Sequence, residues 1–215
     1  MPRQLAALVC VVCVCSSVNA VQLTLDNKAL FDAIGIGQSR FERERVAFHQ
    51  PYRLRVARPP VDWIDVITPF HRVVLAAEAR ARIGDRVFGQ REALAVLSET
   101  PGQIDLVVEL TFHPQNTFVG IPPYDIALIG PKGTKVQPLR TDRYPRFQAR
   151  VASPTPELPS PGGAPFVGKG DPVLGGTLVT PFRGAALDPM ALYTVVVSEA
   201  GKELARVPMD LAKLR

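Results

Sequence analysis

The stretch "IDLVVELTFH" (Ile104–His113) decides the fold class. Ile104, Leu106, Val108, Leu110 and Phe112 share one side of an extended chain, and Asp105, Val107, Glu109, Thr111 and His113 share the other. Side chains that alternate with a period of two belong to a strand with one buried and one wetter face. Such a strand suits an antiparallel sheet packed on a second layer.

The same alternation recurs on both sides of this stretch. "VQLTL" sets Val21, Leu23 and Leu25 against Gln22 and Thr24, and "YRLRV" sets Tyr52, Leu54 and Val56 against Arg53 and Arg55. Two hairpins are expected downstream. "YDIALIGPKGTKVQPL" turns at Gly130–Gly133, where Pro131 presets one backbone angle and Gly133 accepts a positive φ. "LYTVVVSEAGKELARVPM" turns around Glu199–Lys202 through Gly201.

One segment has another period. Phe70, Val73, Val74, Ala77 and Ala81 recur at helical spacing, with Thr68 as the N-cap, Pro69 at the first helical position and Gly84 as the stop. A shorter helix is expected over Gln90–Leu97, before Thr100-Pro101-Gly102. "LDNKALFDAIGIG" offers a turn or two of helix capped by Asp26. A second Thr-Pro-Phe, Thr180–Phe182, is followed too soon by Gly184 and Asp188-Pro189 to open a helix, so the tripeptide is not a repeat. Val151–Gly176 is rich in Pro and Gly and reads as a long surface excursion.

The expected architecture is therefore a mainly β chain. It is an antiparallel β-sandwich, immunoglobulin-like in one version, with a helical insertion around 68–97 and the excursion at 151–176. Residues 21–215 would form this single domain.

The first twenty residues read as a signal peptide. Arg3 precedes the apolar run Leu5–Cys15, and Val18-Asn19-Ala20 offers small residues for cleavage between Ala20 and Val21. A run of eleven residues falls well short of the roughly 20 that a membrane-crossing helix needs. The chain is thus expected to be exported, periplasmic or extracellular, with no transmembrane span after cleavage. All three cysteines lie in this segment, which removes disulfides, thiolate nucleophiles and cysteine-bound metals from the mature chain.

The chain carries 25 Lys+Arg against 20 Asp+Glu, a net +5. Arginines crowd at Arg40–Arg58 and Arg140–Arg150, yet Glu42 and Glu44 interleave with the first group, as on a solvated face. No nucleic-acid module is recognisable, so nucleic acid is not expected as a partner. Gly-x-Ser-x-Gly, Ser-x-x-Lys and glycine-rich phosphate loops are absent, and Asp105 with Glu109 fits a wet sheet face better than an acid–base pair.

Two sets of residues merit testing. "TFHPQNTFVGIPPYDIAL" crowds His113, Asn116 and Tyr124 around a proline-stiffened loop, as a binding module would display them. The three histidines, His49, His71 and His113, each follow a phenylalanine and could hold a metal if they converged. The leading expectation is an exported, non-catalytic binding or assembly module with no cofactor, acting through sheet faces and loops on an unknown protein or envelope component. The alternative is a secreted enzyme or metal-binding protein using His49, His71 and His113.

Overall fold

The structure is a computed structural model that describes residues 21–85, 87–147 and 173–215. The expected signal segment and most of the excursion lie outside the described residues. Among the described residues, no helix is long and apolar enough to cross a membrane.

Two antiparallel sheets carry the alternating segments. The larger joins β1 (Arg53–Arg58), β2 (Val61–Ile67), β3 (Gln103–Thr111), β7 (Val173–Arg183) and β6 (Asp142–Phe147) in the order β1-β2-β3-β7-β6. The smaller has the order β5-β4-β8-β9, with β4 at Tyr124–Ile129, β5 at Lys135–Val136, β8 at Leu192–Glu199 and β9 at Lys202–Asp210. The decisive stretch behaves as its alternation requires: Ile104, Leu106, Val108 and Leu110 are fully buried. Their neighbours on both flanking strands, among them Ile64, Val66, Leu178 and Phe182, join one apolar cluster with Ile126, Leu128, Val195, Val197 and Met209 of the smaller sheet. Both hairpins turn where expected, with positive φ at Gly133 and at Ala200-Gly201.

Helices form a second body. α1 (Asn27–Gly37) is capped by Asp26, whose carboxylate accepts from Ala29 N at 2.7 Å. α3 (Pro69–Arg82) is capped by Thr68, whose hydroxyl accepts from His71 N at 3.1 Å, and α4 (Gln90–Glu99) follows. Leu30, Ala33 and Ile34 of α1 pack on Phe70, Val73, Val74 and Ala77 of α3, with Phe88 and Ala93 closing a core separate from that of the sheets. Gly37 lets the two helices touch: a Cβ there would stand 2.5 Å from Val74 O and 2.6 Å from Ala77 Cβ.

Two expectations need correction. Val21–Leu25 is not a strand, although Val21 is buried and Leu23 packs against the sheet core. The helical part is larger than an insertion at 68–97, because α1 and α2 (Glu42–His49) belong to it, so the chain is sheet-rich but carries a substantial helical part as well. α2 was hidden because "ERER" alternates like a strand. Its acidic residues, Glu42 and Glu44, instead occupy the first helical turn and His49 the last, each favourable to the helix dipole. The second Thr-Pro-Phe behaves as the sequence predicts: Thr180–Phe182 lies within β7, opposite Ile104–Leu106, and opens no helix.

Candidate functional site

Two histidines converge and the third does not. His49 ends α2 and His71 sits in the first turn of α3, while His113 follows β3 at its far end. β3 residue Asp105 pairs with Ile67 just before α3, so about 25 Å of strand separates that point from His113.

The convergent pair lies in a polar seam between α2 and α3. His71 Nδ1 is 3.0 Å from Val66 O. A carbonyl only accepts, so Nδ1 carries the hydrogen and donates. His71 Nε2 faces His49 Nδ1 at 2.9 Å, and His49 Nε2 faces a Glu78 carboxylate oxygen at 2.9 Å. The other Glu78 oxygen accepts from Arg82 at 2.8 Å and lies 3.4 Å from Arg45 Nε. Tyr52 lies against His71 with ring centroids 4.1 Å apart and the planes tilted by 30°, and Phe48 meets both imidazoles edge-on.

Burial sets the electrostatics. Desolvation pushes the His71 pKa down to about 4, with the hydrogen bond to Val66 opposing and the charge of His49 adding to the effect. Burial alone would raise the pKa of Glu78, but hydrogen bonds from His49 and Arg82 outweigh it and hold the carboxyl below its ordinary range. The Tyr52 phenol is raised by burial. A groove of about 510 Å³ borders the seam, lined by Arg45, His49 and Glu78 on one side and Arg53, Arg55 and Asp65 on the other.

The His49 and His71 nitrogens point at one another, since the 5.1 Å between ring centroids is close to the nitrogen separation plus two ring radii. That is hydrogen-bond geometry. Two imidazoles gripping one metal ion would have to turn their lone pairs toward a point off the line between them. Among the described residues, no group of three or more His, Cys, Asp or Glu side chains is arranged to hold a metal.

The loop residues have separate fates. His113 is exposed, and its Nδ1 accepts from Gln115 N. The Asn116 amide donates to His113 O at 2.8 Å and Val173 O at 3.0 Å, while its oxygen accepts from Phe118 N. Every polar atom of that side chain thus fastens the loop. Tyr124 is 2% exposed, deep in the sheet core, where burial and the charge of Glu199 push its pKa up to about 12.

A different surface emerges from the strand register. Arg55, Trp63, Glu109, Thr177 and Tyr144 oppose one another in a row across all five strands of the larger sheet, and Arg53, Asp65, Val107, Val179 and Asp142 form the next row. All lie on the face away from the apolar core, because the alternating positions between them are buried. Trp63 and Tyr144 stand three strand spacings apart, about 14 Å. The carboxylates on this face are matched: Arg53 grips Asp65 with two bonds of 2.8 Å and lies over the Trp63 ring, Arg140 holds Asp142, and Arg146 and Thr177 engage Glu109. Asp105, at the edge of the same face, is bound by Arg72 of α3 at 2.7 Å. In sequence, Asp105 and Glu109 stand out only as neighbours on one strand, and Trp63 not at all. The alternation of "VDWIDVI" was the available signal, since it turns Trp63 out with Asp65.

Comparison of the chain with protein-family models, with curated proteins and with solved structures finds no match.

Proposed function

We propose that the chain is an exported, non-catalytic binding module, a β-sandwich whose contact surface is the open face of the larger sheet. The observation that carries this reading is the row from Trp63 to Tyr144, with aromatic rings on β2 and β6 and ion-paired polar groups between them. Arginine and carboxylate cancel locally along it, so the surface favours neither a polyanion nor a polycation. Rings that offer flat apolar faces, flanked by fixed hydrogen-bonding forks, suit an uncharged polymer rich in hydroxyl groups. An envelope glycan has that chemistry. Export itself rests on the apolar segment Leu5–Cys15 and the small residues before Val21.

The alternative, an enzyme or metal protein using His49, His71 and His113, has weaker support. Both nitrogens of His49 are engaged within the seam, His71 is buried, and His113 stands far from either. A general base needs a free nitrogen within reach of its substrate.

The test uses the single tryptophan as reporter. Titration of residues 21–215 with neutral, acidic and basic polysaccharides should change Trp63 emission with the neutral polymers. Trp63→Ala, read by affinity electrophoresis, should lose at least tenfold in affinity, as should Tyr144→Ala, with circular dichroism unchanged. Equal retention of wild type and both variants, or hydrolysis of any polymer that disappears with His49→Ala, overturns the reading.

A further inference from the structure

With Glu78 a carboxylate, the seam between α2 and α3 needs one hydrogen more than its two neutral imidazoles supply. His71 spends its hydrogen on Val66 O, so its Nε2 is an acceptor and His49 Nδ1 must donate to it. His49 Nε2 must also donate, because it faces Glu78, which the hydrogen bond from Arg82 helps hold as a carboxylate. Both bonds form only when His49 is an imidazolium. If it loses that proton, either two imidazole lone pairs oppose each other or a lone pair opposes a carboxylate.

Among the described residues, little else holds α2 in place. None of its residues is buried, and Phe48 is its one apolar side chain packed on both cores. Its remaining ties are polar: Arg45 reaches Ser39 O and Glu78, and Ser39 donates to Glu44 at 2.9 Å. Crevices of about 400 and 510 Å³ share Arg45, Glu78 and Arg82 as lining. The charged and titratable groups around His49 are Glu42 and Arg45 from α2, His71, Glu78 and Arg82 from α3, Tyr52 beyond α2, Arg53 and Arg55 from β1 and Asp65 from β2.

We propose that α2 is a latch held by one proton: while His49 is charged it bolts α2 to α3, and when that proton leaves, α2 lifts and the two crevices become one. The device has a lower edge too. Below about pH 4 His71 also gains a proton, its Nε2 becomes a donor facing the His49 donor, and the bolt breaks from the other side. The inference stands whether or not the sheet face binds a glycan.

Nitrogen-15 spectra of the histidine rings, recorded across pH, test it directly, with exposed His113 as the internal reference. His71 should remain neutral with its hydrogen on Nδ1, and His49 should be doubly protonated while α2 is closed. As His49 deprotonates, amide exchange over 42–49, corrected for intrinsic rates, should rise at least about tenfold, while that of 69–82 stays constant. Glu78→Gln should move the opening to lower pH. His49→Gln should leave α2 exchanging at its open rate at every pH. The proposal fails if His71 carries its hydrogen on Nε2, if α2 exchange ignores the His49 titration, or if Glu78→Gln leaves the midpoint where it was.

Discussion

The two cores of this molecule are built on different economies of space. In the sheet core, large side chains from both sheets, such as Leu106, Leu110, Leu178 and Met209, fill one apolar cluster. In the helical core, Ala29, Ala33, Ala77 and Ala93 and the bare backbone of Gly37 bring helices close around a few larger residues. The first depends on filling volume and the second on leaving room. Polar chemistry gathers where they meet: Arg72 with Asp105, His49 with His71 and Glu78, and Arg215 stacked on Phe70 while paired with Asp32. Side chains of one body there meet backbone and charge of the other, so neither repeating pattern can be kept.

The most disruptive way to break the contrast is a cavity in the sheet core. Leu106→Ala should cost about 4 kcal/mol in urea unfolding, because a fully buried leucine in the cluster that both sheets join leaves a space the neighbours cannot close. A loss below about 1 kcal/mol would mean that the two sheets do not share that core.

The seam gives the next effect, and it depends on pH. His71 titrates near 4 when folded and in the ordinary imidazole range, about 6.5, when unfolded. The unfolded chain therefore binds more protons between those values, and stability falls as pH drops from about 6.5 to about 4. The full swing is about 3 kcal/mol, all of it present above 6.5. In His71→Phe, which keeps an aromatic ring beside Tyr52, this part of the acid slope should vanish. An unchanged slope would place the titration elsewhere.

The smallest effect belongs to the helical core. Gly37→Ala should destabilise by about 2 kcal/mol through overpacking against Val74 and Ala77, despite alanine's better helix propensity. The loss should appear first as protease sensitivity over 27–49, with the sheet signal in circular dichroism retained. A variant as stable as wild type would show that α1 and α3 have slack between them.

How much of this was legible beforehand follows from where each signal resides. Alternation in Ile104–Phe112 and the turn glycines Gly133 and Gly201 are local, and the strands and hairpins followed from them. Thr68-Pro69 and Asp26 are local too, and they cap the helices expected of them. The seam was illegible because its members lie 22 and 29 positions apart in sequence and only tertiary packing selects which histidines meet. The outward row from Trp63 to Tyr144 needed strand order, which no local pattern carries. α2 misled because charge alternation mimics a strand when no buried side chain forces the choice.

Each sheet takes an interior strand from late in the chain: β7 lies between β3 and β6, and β8 between β4 and β9. Before residue 173 has been synthesised, β3 has no neighbour on one side and β6 none at all. Partnerships such as Leu106 with Thr180 close long loops, which makes assembly slow and nearly all-or-none. A polypeptide wired this way stays threadable while it emerges, and sets only once its final fifth has arrived.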